Sequence, residues 1–223
     1  MPILIKMTHP LQTSWTLYYQ QPNPDDTDNK DYASSIHKIG KFDTVEDFWQ
    51  FYSHLKRPNE ITESIEFHIF RNDIRGMWED EENRNGGKWI LFLRKEYSPQ
   101  YWEKTVLSLI GELIHEDVLG AVIAIRADTD ILSFWTREGR GPTTDSTLQN
   151  IAESISRALD LPNDTQLKFK QHFENNKNNT ARDQRRLFSY KVVNNGANPN
   201  GQSKNQRMRD KRSPGKQQQK PKS

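Results

Sequence analysis

Along the first 172 residues the spacing of apolar positions switches between two periods, and each switch marks an element. Residues 13–19, Thr-Ser-Trp-Thr-Leu-Tyr-Tyr, have the β-branched and aromatic content of a strand. Residues 21–31, with two prolines and four aspartates, read as a loop, and residues 32–42 as a short strand carrying Ile36 and Ile39. Asp43 with Glu46 three residues on resembles a capping box, and Val45, Phe48, Trp49, Tyr52 and Leu55 follow at helical spacing until Pro58. Residues 64–70 alternate like a half-buried strand. A polar loop over residues 77–88 then closes through Asn85-Gly86, a pair suited to a type I′ turn, into the apolar run 89–93.

Ser98-Pro99 starts a second helix whose apolar positions are Trp102, Val106, Leu107, Ile110, Leu113 and Ile114. Residues 118–126 and 131–136 read as two strands joined by a polar turn. Asp145-Ser146 opens a third helix through Leu148, Ile151, Ala152, Ile155 and Leu159, ended by Pro162, and residues 166–172 alternate as a last strand. Strands arriving mostly in pairs with helices between them favour an α+β layer sandwich, an antiparallel sheet with helices on one face. The other face is left to curve around a ligand.

Composition adds a division along the chain. From about residue 174 the sequence shifts to Asn, Gln, Lys, Arg, Pro and Gly, the signature of disorder. The expected organisation is a short tail over residues 1–8, one domain over 9–173 and a basic tail over 174–223. The formal charge of +2 conceals an asymmetry: from residue 175 onward thirteen lysines and arginines face two aspartates, so residues 1–174 carry nine net negative charges. A polyanion bound by the domain must be gripped at a local site and not by a broad basic face.

Zero cysteines rule out disulfides and thiolate metal sites. The six histidines show no metal-ligand spacing, and there is no phosphate loop, nucleophile elbow or long apolar run. The expectation is a binding protein without cofactor, metal or membrane anchor, and not an enzyme, in the cytosol or in cytosol and nucleus.

His9-Pro10-Leu11-Gln12, Phe42-Asp43-Thr44-Val45-Glu46-Asp47-Phe48-Trp49, Met77-Trp78-Glu79-Asp80, Asn85-Gly86-Gly87-Lys88-Trp89, Leu109-Ile110-Gly111-Glu112, Gly120-Ala121-Val122 and Leu159-Asp160-Leu161-Pro162 stand in an order and spacing that resembles the eukaryotic translation initiation factor 4E family. The resemblance covers residues 9–172. It implies a curved antiparallel β-sheet backed by three α-helices, with the 7-methylguanosine triphosphate cap of messenger RNA in the concave face. It also implies a partner surface on the helical back that receives scaffold or repressor proteins through a short helix bearing a tyrosine and a leucine.

Methylation at N7 makes guanine a delocalised cation, so aromatic faces stacked on either side gain cation–π attraction. The resemblance assigns Trp78 and Tyr32 as the two slabs, Glu79 as acceptor for the base edge, Trp135 near the methyl group, and Lys88 and Arg126 as phosphate contacts. On local reasoning alone Arg126 could equally pair with Asp128 or Asp130. Tyr32 stands where the initiation factor has Trp, and Ile131 where it has a phosphate-binding Lys. With Trp102-Glu103, these departures resemble the homologous-protein branch, which binds caps more weakly and is mostly associated with repressing chosen messages; the alternative is a general initiation factor. For the back surface His9, Pro10, Val45, Trp49, Leu107 and Gly111 match the partner positions, with Glu103 and Lys104 altering the charge at its border.

Overall fold

The computed structural model describes residues 8–21, 32–77, 79–137, 144–172 and 188–193. These belong to one compact unit, Met1–Val193; the unit Asn194–Ser223 lies outside the described residues, as do residues 1–7 of the expected N-terminal tail. The strands are β1 (Pro10–Gln20), β2 (Ile36–Thr44), β3 (Ile65–Arg71), β4 (Gly87–Arg94), β5 (Val118–Ile125), β6 (Thr129–Thr136), β7 (Gln166–Gln171) and β8 (Phe188–Lys191). The helices are α1 (Val45–Tyr52), α2 (Ser98–Ile110) and α3 (Thr144–Leu159), and residues 32–35 form a 3-10 turn before β2.

All eight strands join one curved, wholly antiparallel sheet in the order β2-β1-β3-β5-β6-β4-β7-β8. Its helical side buries Trp15, Leu17, Ile69, Ile123, Phe134, Trp89 and Phe169. Into that layer reach Phe48 and Tyr52 from α1, Trp102, Val106 and Leu109 from α2, and Leu148, Ile151, Ile155 and Leu159 from α3. Each such buried side chain contributes about 1.5–3 kcal/mol, so the apolar stripes of all three helices settle on this one face.

Because alternate residues point to opposite faces, register alone defines the helix-free side. One row across it runs Thr16, Phe70, Gly120, Trp135, Lys88 and Lys170. The next runs Tyr18, His68, Val122, Ser133, Ile90 and Lys168. This face is not uniformly wet: Phe70, Leu119, Val122 and Trp135 make a second, small apolar cluster there. That is why β3 is buried on both sides from Phe67 to Phe70 and does not follow the half-buried alternation expected for it.

The structure departs from the sequence reading at several boundaries. Helix α1 is capped by Thr44 and not by Asp43: Thr44 is extended (φ −127°, ψ 157°) and its hydroxyl accepts the Asp47 N–H at 3.1 Å. Glu46, expected to complete a capping box, turns instead to His9, accepting its backbone N–H at 3.0 Å and meeting Nδ1 at 2.7 Å. The Asn85-Gly86 pair forms no type I′ turn, since Asn85 is not among the residues with positive φ. Gly86 is needed for space, because a Cβ there would collide with the Thr136 carbonyl oxygen. Helix α2 ends at Ile110, so Leu113 and Ile114 belong to the following loop, where Leu113 is exposed and Ile114 buried.

The largest departure is β8, which lies in the segment read as tail. It pairs with β7, sets Phe188 edge-on to Trp89 (centroids 5.7 Å, 80° between planes) and leads Val192 into the core at 1% exposure. Residues 188–193 therefore pack with the folded unit although they lie past the expected boundary at 173. Phe188, Tyr190 and Val192 do carry a two-residue period, but it spans too few positions to stand out from the polar sequence around it.

Candidate nucleotide-binding face and partner surface

Two of the expected site residues meet in the middle of the helix-free face. Lys88 of β4 and Trp135 of β6 are register partners, and the Lys88 Nζ lies 5.2 Å from the Trp135 ring centroid. Beneath, Phe70 meets Trp135 edge-on at 5.8 Å and 76°. Gly120 separates these two rings in the register, and a Cβ there would come within 2.5 Å of the Phe70 ring. Beside the indole stands His172, with ring centroids 4.2 Å apart. The Trp135 Nε1 and His172 Nε2 atoms are buried and find no hydrogen-bond partner among the described residues, an unusual state for a closed core.

Electrostatics set these groups apart. Burial pushes the Lys88 ammonium below the usual lysine range; Glu66 opposes the shift and Lys170 adds to it. Burial, reinforced by Lys88 and Lys170 and opposed by a backbone contact with Gly87, depresses His172 from 6.5 to about 3, so it is neutral at physiological pH. Arg126, at the end of β5, pairs with neither Asp128 nor Asp130 through its guanidinium. It grips Glu66 of β3, while its backbone N–H donates to Asp130 Oδ1 at 3.0 Å. Burial raises the Glu66 carboxyl, yet His68, whose Nε2 lies 3.5 Å away, and Arg126 outweigh it and hold Glu66 below its ordinary value.

Of the remaining base-contacting candidates, only Glu79 has a described side chain. Glu79 is exposed on the loop before β4. Trp78 lies outside the described residues, and Tyr32 opens the 3-10 turn with only its backbone described. The loop that bears Glu79 is fixed by a residue the sequence reading passed over. Asn83, fully buried, donates from Nδ2 to the carbonyls of Arg75 (2.8 Å) and Met77 (2.9 Å), the two residues either side of Gly76. Asp80 tightens the same turn by accepting the Arg75 N–H at 3.3 Å. A lone polar residue on a loop gives no warning of burial, so only the fold reveals this lock.

On the helical side the expected partner residues fall on α1, α2 and the start of β1. Val45 donates its N–H to the His9 carbonyl (2.9 Å), and Pro10 pairs with Thr44, which ties the chain start to α1. Trp49 is 44% exposed although its ring edge packs on Phe48, and Val45 (36%) and Leu107 (37%) are also open. Gly111 caps α2, donating to the Leu107 carbonyl at 3.0 Å. An open groove of about 410 Å³ is lined by Arg57, Pro99, Gln100, Glu103, Lys104 and Leu107. Glu103 is paired with Arg57, and Lys104 donates to the Leu159 carbonyl at 3.2 Å, so both charges at the border are held in place.

An antiparallel sheet with three helices on one side and an aromatic, cationic opposite side defines an α+β layer sandwich with one uncovered face. Residues 10–187 match the family described as Eukaryotic initiation factor 4E, and the chain belongs to that family. It is 38% identical over 175 residues to the Triticum aestivum protein named Eukaryotic translation initiation factor NCBP, covering 78% of this chain and 74% of that one. To Eukaryotic translation initiation factor 4E-4 of Caenorhabditis elegans it is 37% identical over 167 residues, 74% and 77% of the two chains. Among solved structures, Ascaris suum eIF4E-3 with m7G cap is 30% identical with a TM-score of 0.66, covering 75% of this chain and 93% of that one. The Caenorhabditis elegans eIF4E-3 complex with the 4E-binding protein Mextli and a cap analogue gives 30% and 0.67, covering 74% and 94%.

Proposed function

We propose that the chain binds the 7-methylguanosine 5′ cap of messenger RNA on the helix-free face of its sheet. Through partner proteins on the helical side it regulates translation of selected messages. The observation that carries this reading is the pairing of Trp135 with Lys88 on that face. It sets an aromatic side chain for the methyl group of the base next to a cation for its phosphates. Trp78 and Tyr32 stack on the cationic base from either side, and Glu79 accepts the protons of its Watson–Crick edge. Arg126 and Lys88 face the phosphates. The relatives described above, solved with cap and with a 4E-binding protein, support both halves of the assignment.

Tyrosine at position 32 makes the grip weaker than two tryptophans would, by about 0.5–2 kcal/mol. This favours a weak-binding member that acts on chosen messages. On the other side, His9, Pro10, Val45, Trp49, Leu107 and Gly111 receive the partner helix, and the fixed Glu103 and Lys104 charges select among partners. The test is retention on a 7-methylguanosine resin, which Trp78→Ala and Glu79→Ala abolish. Equal competition by methylated and unmethylated guanosine triphosphate would sink the stacking argument.

A further inference from the structure

We infer that Lys170, with Lys168 behind it, is a phosphate-binding element that carries the triphosphate and the first nucleotides across β7. This rests on the cap-binding reading of the same face.

Three cations on this face are already spoken for. Lys38 and Lys41 bracket Asp73 at 3.0 and 2.6 Å, and Arg126 is paired with Glu66. Lys88, Lys168 and Lys170 have no ion-pair partner among the described residues. Lys170 is the direct register partner of Lys88, so their Cα atoms are about 5 Å apart, and it is exposed. Lys168 lies two residues on, about 7 Å along the same strand, opposite Ile90, with its ammonium 5.8 Å from the centroid of the exposed Phe92 ring. Lys88 is lowered mainly by burial, with Lys170 beside it adding to the effect, and an anion placed between the two ammonium groups relieves their mutual repulsion.

The row also answers two facts of the sequence. Residues 1–174 are net negative, so a phosphate chain needs a confined run of unpaired cations. Ile131, apolar where the family resemblance leads one to expect a cation, sits on β6, the strand beside that of Lys88 on the side away from β7. With no cation at position 131 beside Arg126, the unpaired lysines of β4 and β7 extend the anion path towards β7.

Tryptophan fluorescence titration of the full chain with 7-methylguanosine, its triphosphate and a capped decanucleotide separates the contributions. Lys170→Ala leaves the nucleoside affinity unchanged and weakens the triphosphate by about three- to tenfold. It also lowers the slope of log affinity against log salt by about one. Lys168→Ala leaves the triphosphate unchanged and weakens the decanucleotide. Circular dichroism confirms that both variants fold, as expected for exposed lysines. If the unaltered chain binds the triphosphate and Lys170→Ala matches it in affinity and salt slope, or loses nucleoside and triphosphate alike, the inference is overturned while cap binding stands. If the unaltered chain binds none of the three ligands, both fall.

Discussion

Trp135 and His172 lie ring against ring, with centroids 4.2 Å apart and planes inclined by 33°, although one belongs to β6 and the other follows β7. The contact packs the residue that follows β7 against the helix-free face of the sheet. It also gives that face a pH dependence. The folded imidazole takes up a proton only near pH 3, whereas the unfolded chain does so near 6.5. Between those values the unfolded chain binds more protons, so this part of the stability is fully present above about pH 6.5 and declines as pH falls towards 3. From pH 7.5 to 5.5 the loss is about 1 kcal/mol. Denaturant unfolding at the two pH values measures it, and His172→Phe, which keeps a ring against Trp135, removes most of it. An identical loss in the variant would refute the assignment.

Asn83 connects stability to recognition. Asn83→Ala removes the side-chain amide that bridges the carbonyls of Arg75 and Met77, leaving them only the backbone N–H groups of Met77 and Asp80, and costs about 0.5–1.5 kcal/mol in urea unfolding. Because those residues lead into the loop that bears Glu79, the variant also binds the cap triphosphate less tightly under conditions where it remains folded. Unchanged affinity would mean that the loop positions nothing.

Tyr32→Trp asks whether residue 32 is a stacking partner. The larger ring tightens 7-methylguanosine triphosphate binding by about 0.5–2 kcal/mol, and unmethylated guanosine triphosphate gains less. Calorimetric titration of both nucleotides reads the difference. No gain, or an equal gain for both, places Tyr32 away from the base.

Trp49→Ala separates the two surfaces. With Trp49 44% exposed, its removal costs the fold under about 1 kcal/mol. A peptide carrying the tyrosine and leucine helix loses about 2 kcal/mol or more, because exposed aromatic anchors dominate such contacts. Cap affinity stays at the wild-type value. A parallel fall in cap affinity would show that the residue acts through the fold.

Local pattern revealed the elements and left their neighbours hidden. The helices were legible because Phe48 and Tyr52, or Ile151 and Ile155, recur at the helical period, which needs no knowledge of the rest of the chain. Trp135 and Lys88 were named as candidates through the family resemblance. Lys170 was not, because its place beside Lys88 depends on β7 returning to pair with β4 across most of the sequence. The same holds for Arg126, whose partner Glu66 comes from β3 and not from the nearby turn. Thr44 displaced Asp43 as cap because β2 runs through to its last residue, a boundary that periodicity does not fix.

The eighth strand has a practical side. Trimming the basic extension at residue 173, where the sequence turns polar, would strip β7 of its neighbour and pull Val192 out of the interior. The bared main-chain donors and acceptors would invite strands from other molecules. A shortened form ending after Val193 keeps that seam closed, so any difference in RNA retention between it and the full chain reports on the extension and not on a damaged sheet.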